Sequence, residues 1–341
     1  MGKYKLSMIM ATLVLLLAAC GGDNESADTD TTETDTGSEV GETDAPETVE
    51  ITDMHGTVEV PVNPETVVAL DSRAFETLEA WGIELAAAPK TIMHADSGYV
   101  SDDSVEDIGN HREPNLELIA AADPDLVIVG QRFGDRYDDI KNLVPNAVVV
   151  DLNFDVSEEA ATPGENLING FSEGTRTLGQ IFDKNEEAEQ LVTEFEESIA
   201  NAQEAYNGTD TMMAVIVSGG GVNYAAPQSG RVWGPLYEIL DWTPALEVEG
   251  GTADHQGDEI SVEAIAQSNP DWLMVLDRDA ATSEASESVP AQDVIDNSPA
   301  LQNTTAITEE QIVYAPNDTY TNESIQTFIE IFDIITDALN E

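Results

Sequence analysis

An internal match between two segments restricts the fold more than any other feature of this sequence. The segment NLELIAAADPDLVIVGQR (115–132) aligns without a gap with SVEAIAQSNPDWLMVLDR (261–278), and seven positions coincide. Each copy has a helical pattern, a Pro-Asp pair, an apolar run typical of a buried strand, and a final arginine. Proline ends the helix because it pushes the preceding residue out of the α conformation. The two copies predict two lobes of similar build.

The rest of the chain fits the same plan. Alternating runs around His55 and Gly56 predict a β-hairpin, and short β-branched runs then alternate with helical patterns. That alternation favours parallel sheets flanked by helices, which is an α/β fold. Between the two α/β regions, residues 163–182 carry apolar side chains at helical spacing. The predicted units are an N-terminal lobe (49–162), a connecting helix (163–182) and a C-terminal lobe (183–341).

The N-terminus has the pattern of an export signal. Lys3 and Lys5 precede the apolar run MIMATLVLLLAA, and LAAC ends at Cys20, the only cysteine. This arrangement resembles a bacterial lipobox, which implies removal of residues 1–19 and a lipid on Cys20. An ordinary signal peptide followed by an incidental cysteine is the alternative. The lone cysteine excludes an internal disulfide framework.

Residues 20–48 are predicted to be a disordered acidic stalk. After Cys20 this segment contains Asp, Glu, Thr, Ser and Gly, with no aromatic and no basic residue. Such a composition cannot bury enough apolar surface to order the backbone. We expect the stalk to hold the folded part away from a membrane.

The charge balance excludes one class of partner and makes the arginines conspicuous. The chain has 12 Lys+Arg against 68 Asp+Glu, a formal net charge of −56. Nucleic acid is therefore a poor candidate, because phosphate binding needs clustered cations. In such a chain, an arginine at the end of both matching strands needs an explanation.

Ligands of open α/β sheets bind beyond the carboxyl ends of the strands, where Arg132 and Arg278 would lie. Arg231 sits in a Gly/Ser/Pro loop before a predicted helix. Guanidinium groups suit multidentate recognition of carboxylate or catecholate oxygens and keep their charge. The sequence therefore favours an anion-binding cleft formed by both lobes. The alternative is that each arginine pairs with a nearby carboxylate.

The remaining arginines lack such a placement, and we expect them to pair with carboxylates at the surface. They are Arg73, Arg112, Arg136 and Arg176. Of these, Arg136 is close enough to the predicted cleft to remain a candidate for ligand binding.

Taken in order, the lipobox, the acidic stalk and the segments VPVNPETVVALD, EPNLELIAAADPDLVIVGQR, SGRVWGPLYEILDW and NPDWLMVLDR resemble a known family. They are similar to the ferric-siderophore-binding lipoproteins of bacterial ABC importers, in the catecholate or petrobactin-type branch. The resemblance implies two Rossmann-like α/β lobes bridged by a single long α-helix, with the ligand cleft between the lobes. It also implies a monomer without a cofactor that is lipid-anchored outside the cytoplasm and delivers its ligand to a permease and ATPase.

The resemblance also implies roles for five residues. Arg132, Arg231 and Arg278 would contact an anionic ferric siderophore of catecholate or mixed catecholate/citrate type. His255 and Tyr320 would complete the iron coordination when the siderophore offers only four donors. An exposed loop histidine and a packed aromatic are the alternative interpretations of these two residues.

Other functions remain open at this point. Haem- and cobalamin-binding proteins share the two-lobed architecture, and a surface adhesin or sensor could use the same fold. A site for bare metal ions is not indicated, because His55, His94, His111 and His255 are scattered. An enzyme is not indicated either, because the chain lacks a P-loop, G-x-S-x-G and H-E-x-x-H, and the SGGGVN loop (218–223) lacks the dinucleotide-binding register.

Overall fold

The computed structural model describes residues 47–282 and 289–341. The predicted signal peptide, the lipid attachment at Cys20 and nearly all of the predicted stalk lie outside these residues. None of the described helices is both long and apolar enough to cross a bilayer.

The described strands and helices follow the predicted alternation. The strands are β1 (Thr48–Asp53), β2 (Gly56–Pro61), β3 (Val67–Ala69), β4 (Ala87–Ala88), β5 (Glu106–Asp107), β6 (Leu126–Val129), β7 (Val148–Asp151), β8 (Thr211–Ser218), β9 (Gly221–Tyr224), β10 (Thr243–Pro244), β11 (Trp272–Asp277) and β12 (Ile312–Tyr314). The helices are α1 (Phe75–Ala80), α2 (Gly98–Ser101), α3 (Leu116–Ala121), α4 (Tyr137–Leu143), α5 (Pro163–Ile181), α6 (Asn185–Ala205), α7 (Gly234–Ile239), α8 (Val262–Ser268), α9 (Ala291–Asp296), α10 (Thr305–Thr308) and α11 (Ile325–Asn340).

Two separate sheets form the cores of two lobes. The sheet of the N-terminal lobe has the order β5-β4-β3-β6-β7, and all of its strands are parallel. The sheet of the C-terminal lobe has the order β10-β8-β11-β12, also parallel, and β9 pairs antiparallel with β8. The predicted hairpin is present as β1 and β2. The predicted α/β fold is confirmed.

The internal match corresponds to the same structural device in both lobes. The residues before the two prolines, Asp123 and Asn269, adopt left-handed backbone conformations with φ of 46° and 49°. The aspartate after each proline then accepts hydrogen bonds at the start of the neighbouring parallel strand. Asp125 Oδ2 accepts from the backbone N–H of Thr66 at 2.9 Å, and Asp271 Oδ2 from that of Thr211 at 2.8 Å. The repeated Pro-Asp pair therefore ties two parallel strands together in each lobe.

Helix α5 joins the two lobes because its apolar residues enter both cores. Leu167 and Phe171, near its start, pack in the core beneath the C-terminal sheet. Leu178 and Ile181, near its end, pack in the core beneath the N-terminal sheet. A helix buried in two cores limits relative movement of the lobes. The residue boundaries assigned to the lobes from the sequence stay a prediction.

We predict that Asp271→Ala lowers the free energy of unfolding by about 1–3 kcal/mol, because Asp271 Oδ2 accepts bonds from both Thr211 N and Thr211 Oγ1 at 2.8 Å. Urea unfolding measures the change. Asp103→Ala, at an exposed aspartate, is the matched control and is expected to be neutral. Equal stability of the two variants would contradict a strand-tying role for Asp271.

Candidate ligand-binding site

The polar residues of the cleft follow the carboxyl ends of strands in both sheets, as expected for parallel α/β sheets. From the N-terminal sheet, Arg73 follows β3, Arg132 follows β6 and Asn153 follows β7. From the C-terminal sheet, Arg278 directly follows β11 and Tyr320 lies in the loop after β12. The topology alone thus turns these side chains toward the space between the lobes.

Three guanidinium groups surround one tyrosine. The ring centroid of Tyr320 lies 4.4 Å from Cζ of Arg231, 5.2 Å from that of Arg278 and 5.8 Å from that of Arg132. The Tyr320 carbonyl oxygen accepts a hydrogen bond from Nη2 of both Arg132 and Arg231, each at 3.1 Å. Arg132, Arg231 and Arg278, here called the arginine cluster, therefore meet across the cleft from both lobes.

Carboxylates balance this cluster only in part. Arg231 forms an ion pair with Glu323, and Arg278 Nη1 lies 3.7 Å from Asp279 Oδ1. Among the described residues, no carboxylate oxygen lies within 4.0 Å of the Arg132 guanidinium. The buried Nε atoms of all three arginines also lack a hydrogen-bond partner within the described part of the chain. The cluster keeps donors and positive charge available for a ligand.

Burial lowers the pKa of Arg132, and the positive charge of Arg231 adds to the effect whereas Glu323 opposes it. An arginine pKa starts so high that the guanidinium stays protonated at physiological pH. The lowered pKa of Arg132 reflects the free-energy cost of holding like charges together in a cleft that is shielded from water.

The structure corrects the prediction made for Arg73. The expectation of a surface ion pair is wrong, because the residue is only 8% exposed and its guanidinium stacks on Phe154, 3.7 Å from the ring centroid. Arg73 lies outside the internal match that singles out Arg132 and Arg278, so its strand-end position was not apparent from the sequence. Arg176 pairs at the surface with Glu189 at 2.9 Å, and Arg136 lies 3.9 Å from Asp139, as expected for both.

Two histidines lie near the cluster, one from each lobe. Partial burial lowers the pKa of His255, Asp254 opposes the shift, and Arg278 and Arg231 add to it. Partial burial also lowers the pKa of His111, and Arg132 adds to the effect. Both directions favour neutral imidazole. Among the described residues, no group of three or more His, Cys, Asp and Glu is arranged to hold a metal ion by itself.

Hydrogen bonds outside the cluster also connect the lobes. The carboxylate of Glu76 on α1 accepts from Asn322 Nδ2 at 3.0 Å and from the Ser324 hydroxyl. Thr77 Oγ1 donates to Gln326 Oε1 at 3.1 Å. Together with the Arg132–Tyr320 bond, these contacts hold the two walls of the cleft against each other.

Several residues that line the same space were not predicted from the sequence. Gln131 and Asn153 follow β6 and β7, Phe154 covers Arg73, and Glu323 pairs with Arg231. The positions of Gln131 and Asn153 in the cleft could have been predicted, because both residues follow predicted strands, as Arg132 does. Glu323 was concealed among 68 acidic residues.

Two α/β lobes joined by one long helix, with a charged cleft between the strand ends, define the class of two-lobed solute-binding proteins. The sequence profile of the periplasmic binding protein family matches residues 67–319. The chain belongs to this family.

Individual relatives agree with the assignment. The petrobactin-binding protein YclQ of Bacillus subtilis is 24% identical over 350 aligned positions and covers 100% of both chains. Its crystal structure superposes with a TM-score of 0.71 at 22% identity, covering 86% of this chain and 99% of YclQ. The ferric-anguibactin-binding protein FatB of Vibrio anguillarum is 27% identical over 80% of this chain and 82% of FatB.

A second solved structure has a higher sequence identity to this chain than the YclQ structure has. A TroA-like periplasmic binding protein from Xylanimonas cellulosilytica superposes with a TM-score of 0.68 at 29% identity, covering 84% of this chain and 92% of that protein. Together, the superpositions confirm the predicted architecture of two lobes and a connecting helix.

We predict a pH-dependent effect of Asp71→Asn on stability. Burial raises the pKa of Asp71 to about 6, against the opposing charge of Arg73. Because the folded-state pKa exceeds the unfolded value, the protonated carboxyl stabilises the fold below about pH 4, and this contribution is lost as the pH rises through about 6. Asparagine stays neutral and keeps the size of the side chain, which packs against Gly130.

The free energy of unfolding of the variant minus that of the wild type should therefore rise by about 2–3 kcal/mol between pH 4 and pH 7. Urea unfolding at pH 4, 5, 6 and 7 measures it. A difference that is independent of pH would show that Asp71 is ionised in the fold throughout this range.

Proposed function

We propose that this protein captures an anionic ferric siderophore, of catecholate or mixed catecholate/citrate type, and delivers it to an ABC permease. The observation that carries the proposal is the arginine cluster, in which guanidinium groups from both lobes surround Tyr320. Guanidinium groups bind chelating oxygen anions through several charge-assisted hydrogen bonds at once. The relatives named for petrobactin and ferric anguibactin support the same ligand class.

Local charge decides the binding in this proposal, although the chain as a whole carries −56. Exposed charges farther away than a Debye length of about 8 Å are largely screened at physiological salt. The anion therefore responds to the cluster more than to the distant acidic surface. Haem propionates engage only one or two of the three guanidinium groups, and cobalamin offers a single phosphodiester, so three convergent arginines favour the siderophore.

His255 and Tyr320 are the residues that we propose to complete the iron coordination when a siderophore offers only four donors. Tyr320 lies at the centre of the arginine cluster, although it is only 6% exposed. The loop of His255 borders the cleft through Ala253. The lowered pKa of His255 favours the neutral imidazole that a metal ligand requires.

The location follows from the N-terminal sequence. We propose that Cys20 carries a lipid that anchors the chain at the extracytoplasmic face of the membrane, and that acidic surface patches on both lobes contact the permease. Because α5 is buried in both cores, ligand binding is accompanied by only small movement of the lobes.

Quenching of tryptophan fluorescence tests the proposal. Trp233 is fully buried, and its backbone N–H donates to the Arg231 carbonyl at 2.7 Å, so it reports on the cluster. Titration should give tight saturable binding for ferric catecholate siderophores and weaker binding for haem and cobalamin. Tighter binding of haem or cobalamin than of every ferric siderophore would overturn the proposal.

We predict that Arg278→Ala weakens binding of a ferric catecholate about 10- to 100-fold, because each charge-assisted hydrogen bond contributes roughly 1.5–3 kcal/mol. Arg176→Ala removes a surface arginine that is paired with Glu189 and serves as the control, with no expected change. The same titration measures both variants. Unchanged affinity in Arg278→Ala would remove this residue from the site.

We predict that Cys20→Ser releases the protein from the membrane fraction of a bacterial host and leaves its affinity for the ferric siderophore unchanged, because Cys20 precedes the folded lobes. Fractionation and metabolic labelling with a fatty acid measure the first effect, and titration measures the second. Membrane association of the variant equal to that of the wild type would contradict lipidation at Cys20.

A further inference from the structure

A cavity of about 390 Å³ lies beside the arginine cluster and extends to helix α5. Both lobes line it, and its lining includes Arg231 of the cluster and the ion-pair partner of that residue, Glu323. Much of its wall is apolar and consists of Phe154, Val156, Leu167, Phe171, Val232 and Phe328. This space, here called the Arg73 cavity, is of a size typical of pockets that hold part of a small ligand.

Arg73 is a buried cation of this cavity without an ion-pair partner. It is 8% exposed, and in the described part of the chain no carboxylate oxygen comes within 4.0 Å of its guanidinium. Within the described part of the chain, the guanidinium makes a single long hydrogen bond, from Nη1 to Asn153 Oδ1 at 3.4 Å, and its Nε has no partner. Because burying an unpaired charge costs free energy, an anionic ligand group bound to the Arg73 guanidinium would be stabilising.

The nearby acids do not supply that anion. Glu323 is already paired with Arg231. Asp71 uses its Oδ1 atom to accept the backbone N–H of Arg73 at 3.1 Å, and its carboxylate is packed against Gly130. Neither reaches the Arg73 guanidinium. The Phe154 ring, which also lines the cavity, covers one face of the Arg73 guanidinium and restricts its movement.

We propose that the Arg73 cavity holds a carboxylate-bearing arm of the siderophore scaffold, with the carboxylate on Arg73 and the adjoining carbon chain against the apolar wall. This inference rests on the proposed function, because the iron-bound catecholates occupy the arginine cluster. It predicts a ligand preference: open-chain catecholate siderophores that end in a free carboxylate bind with higher affinity than those without one.

Three ferric complexes with the same catechols isolate the carboxylate. They are the linear trimer of 2,3-dihydroxybenzoylserine with its free terminal carboxylate, the same trimer as its terminal carboxamide, and the cyclic trimer, which has no free end. The wild type should bind the carboxylate form about 10- to 100-fold more tightly than the carboxamide, which is the gain expected from a charge-assisted hydrogen bond.

Two variants then test the cavity from different sides. Arg73→Met removes the cation, and Val156→Phe fills the space from the loop after β7 while all three arginines of the cluster are kept. Each should reduce the preference for the carboxylate form to less than about threefold while the cyclic trimer still binds. The matched controls are Arg176→Met at a surface ion pair and Val248→Phe at a partly exposed valine outside the cavity.

The outcomes separate this inference from the proposed function. If the wild type binds none of the three complexes, the proposed function fails. If it binds all three with equal affinity, or if both variants keep the full preference for the carboxylate, the proposed function stands and the carboxylate site is overturned. Circular dichroism confirms folding of each variant, and Val156→Phe decides the question if Arg73→Met does not fold.

Discussion

The ligand site depends on three positively charged guanidinium groups being held close together in a cleft that is shielded from water. Arg132 and Arg231 donate to the same carbonyl oxygen, and two like charges so close together repel each other by a few kcal/mol at an effective dielectric constant of about 20. The protein offsets this repulsion with one carbonyl oxygen that accepts from Arg132 and Arg231, with Glu323 beside Arg231, and with the Tyr320 ring between the charges. These contacts reduce the repulsion without neutralising the cluster, so a chelated anion can add the remaining stabilisation.

The fold supplies the geometry that makes this arrangement possible. Parallel strands in both sheets place their carboxyl ends toward one space, and α5 holds the two sheets in a fixed relation because it is buried in both cores. Close packing refines the position of single groups. A Cβ atom at Gly170 on α5 would lie 2.2 Å from the Phe154 ring, so the glycine allows that ring to sit against the helix while it covers Arg73.

Much of the fold and part of the site could be predicted from the sequence. The internal match identified the two lobes and the strand-end arginines because helix, Pro-Asp turn and strand are local patterns with local causes. Arg73 could not be predicted in the same way, since it lies outside the internal match and an arginine among so many acids suggests a surface ion pair. The Arg231–Glu323 pair joins residues 92 positions apart, and only tertiary structure brings them together.

A crystal structure of the complex with a ferric tricatecholate would show whether arginines of both lobes bind the same ligand. We expect catecholate oxygens of one bound complex to lie within hydrogen-bonding distance of both Arg132, from the N-terminal lobe, and Arg278, from the C-terminal lobe. A complex bound outside the cleft, or one that contacts arginines of a single lobe, would contradict this expectation.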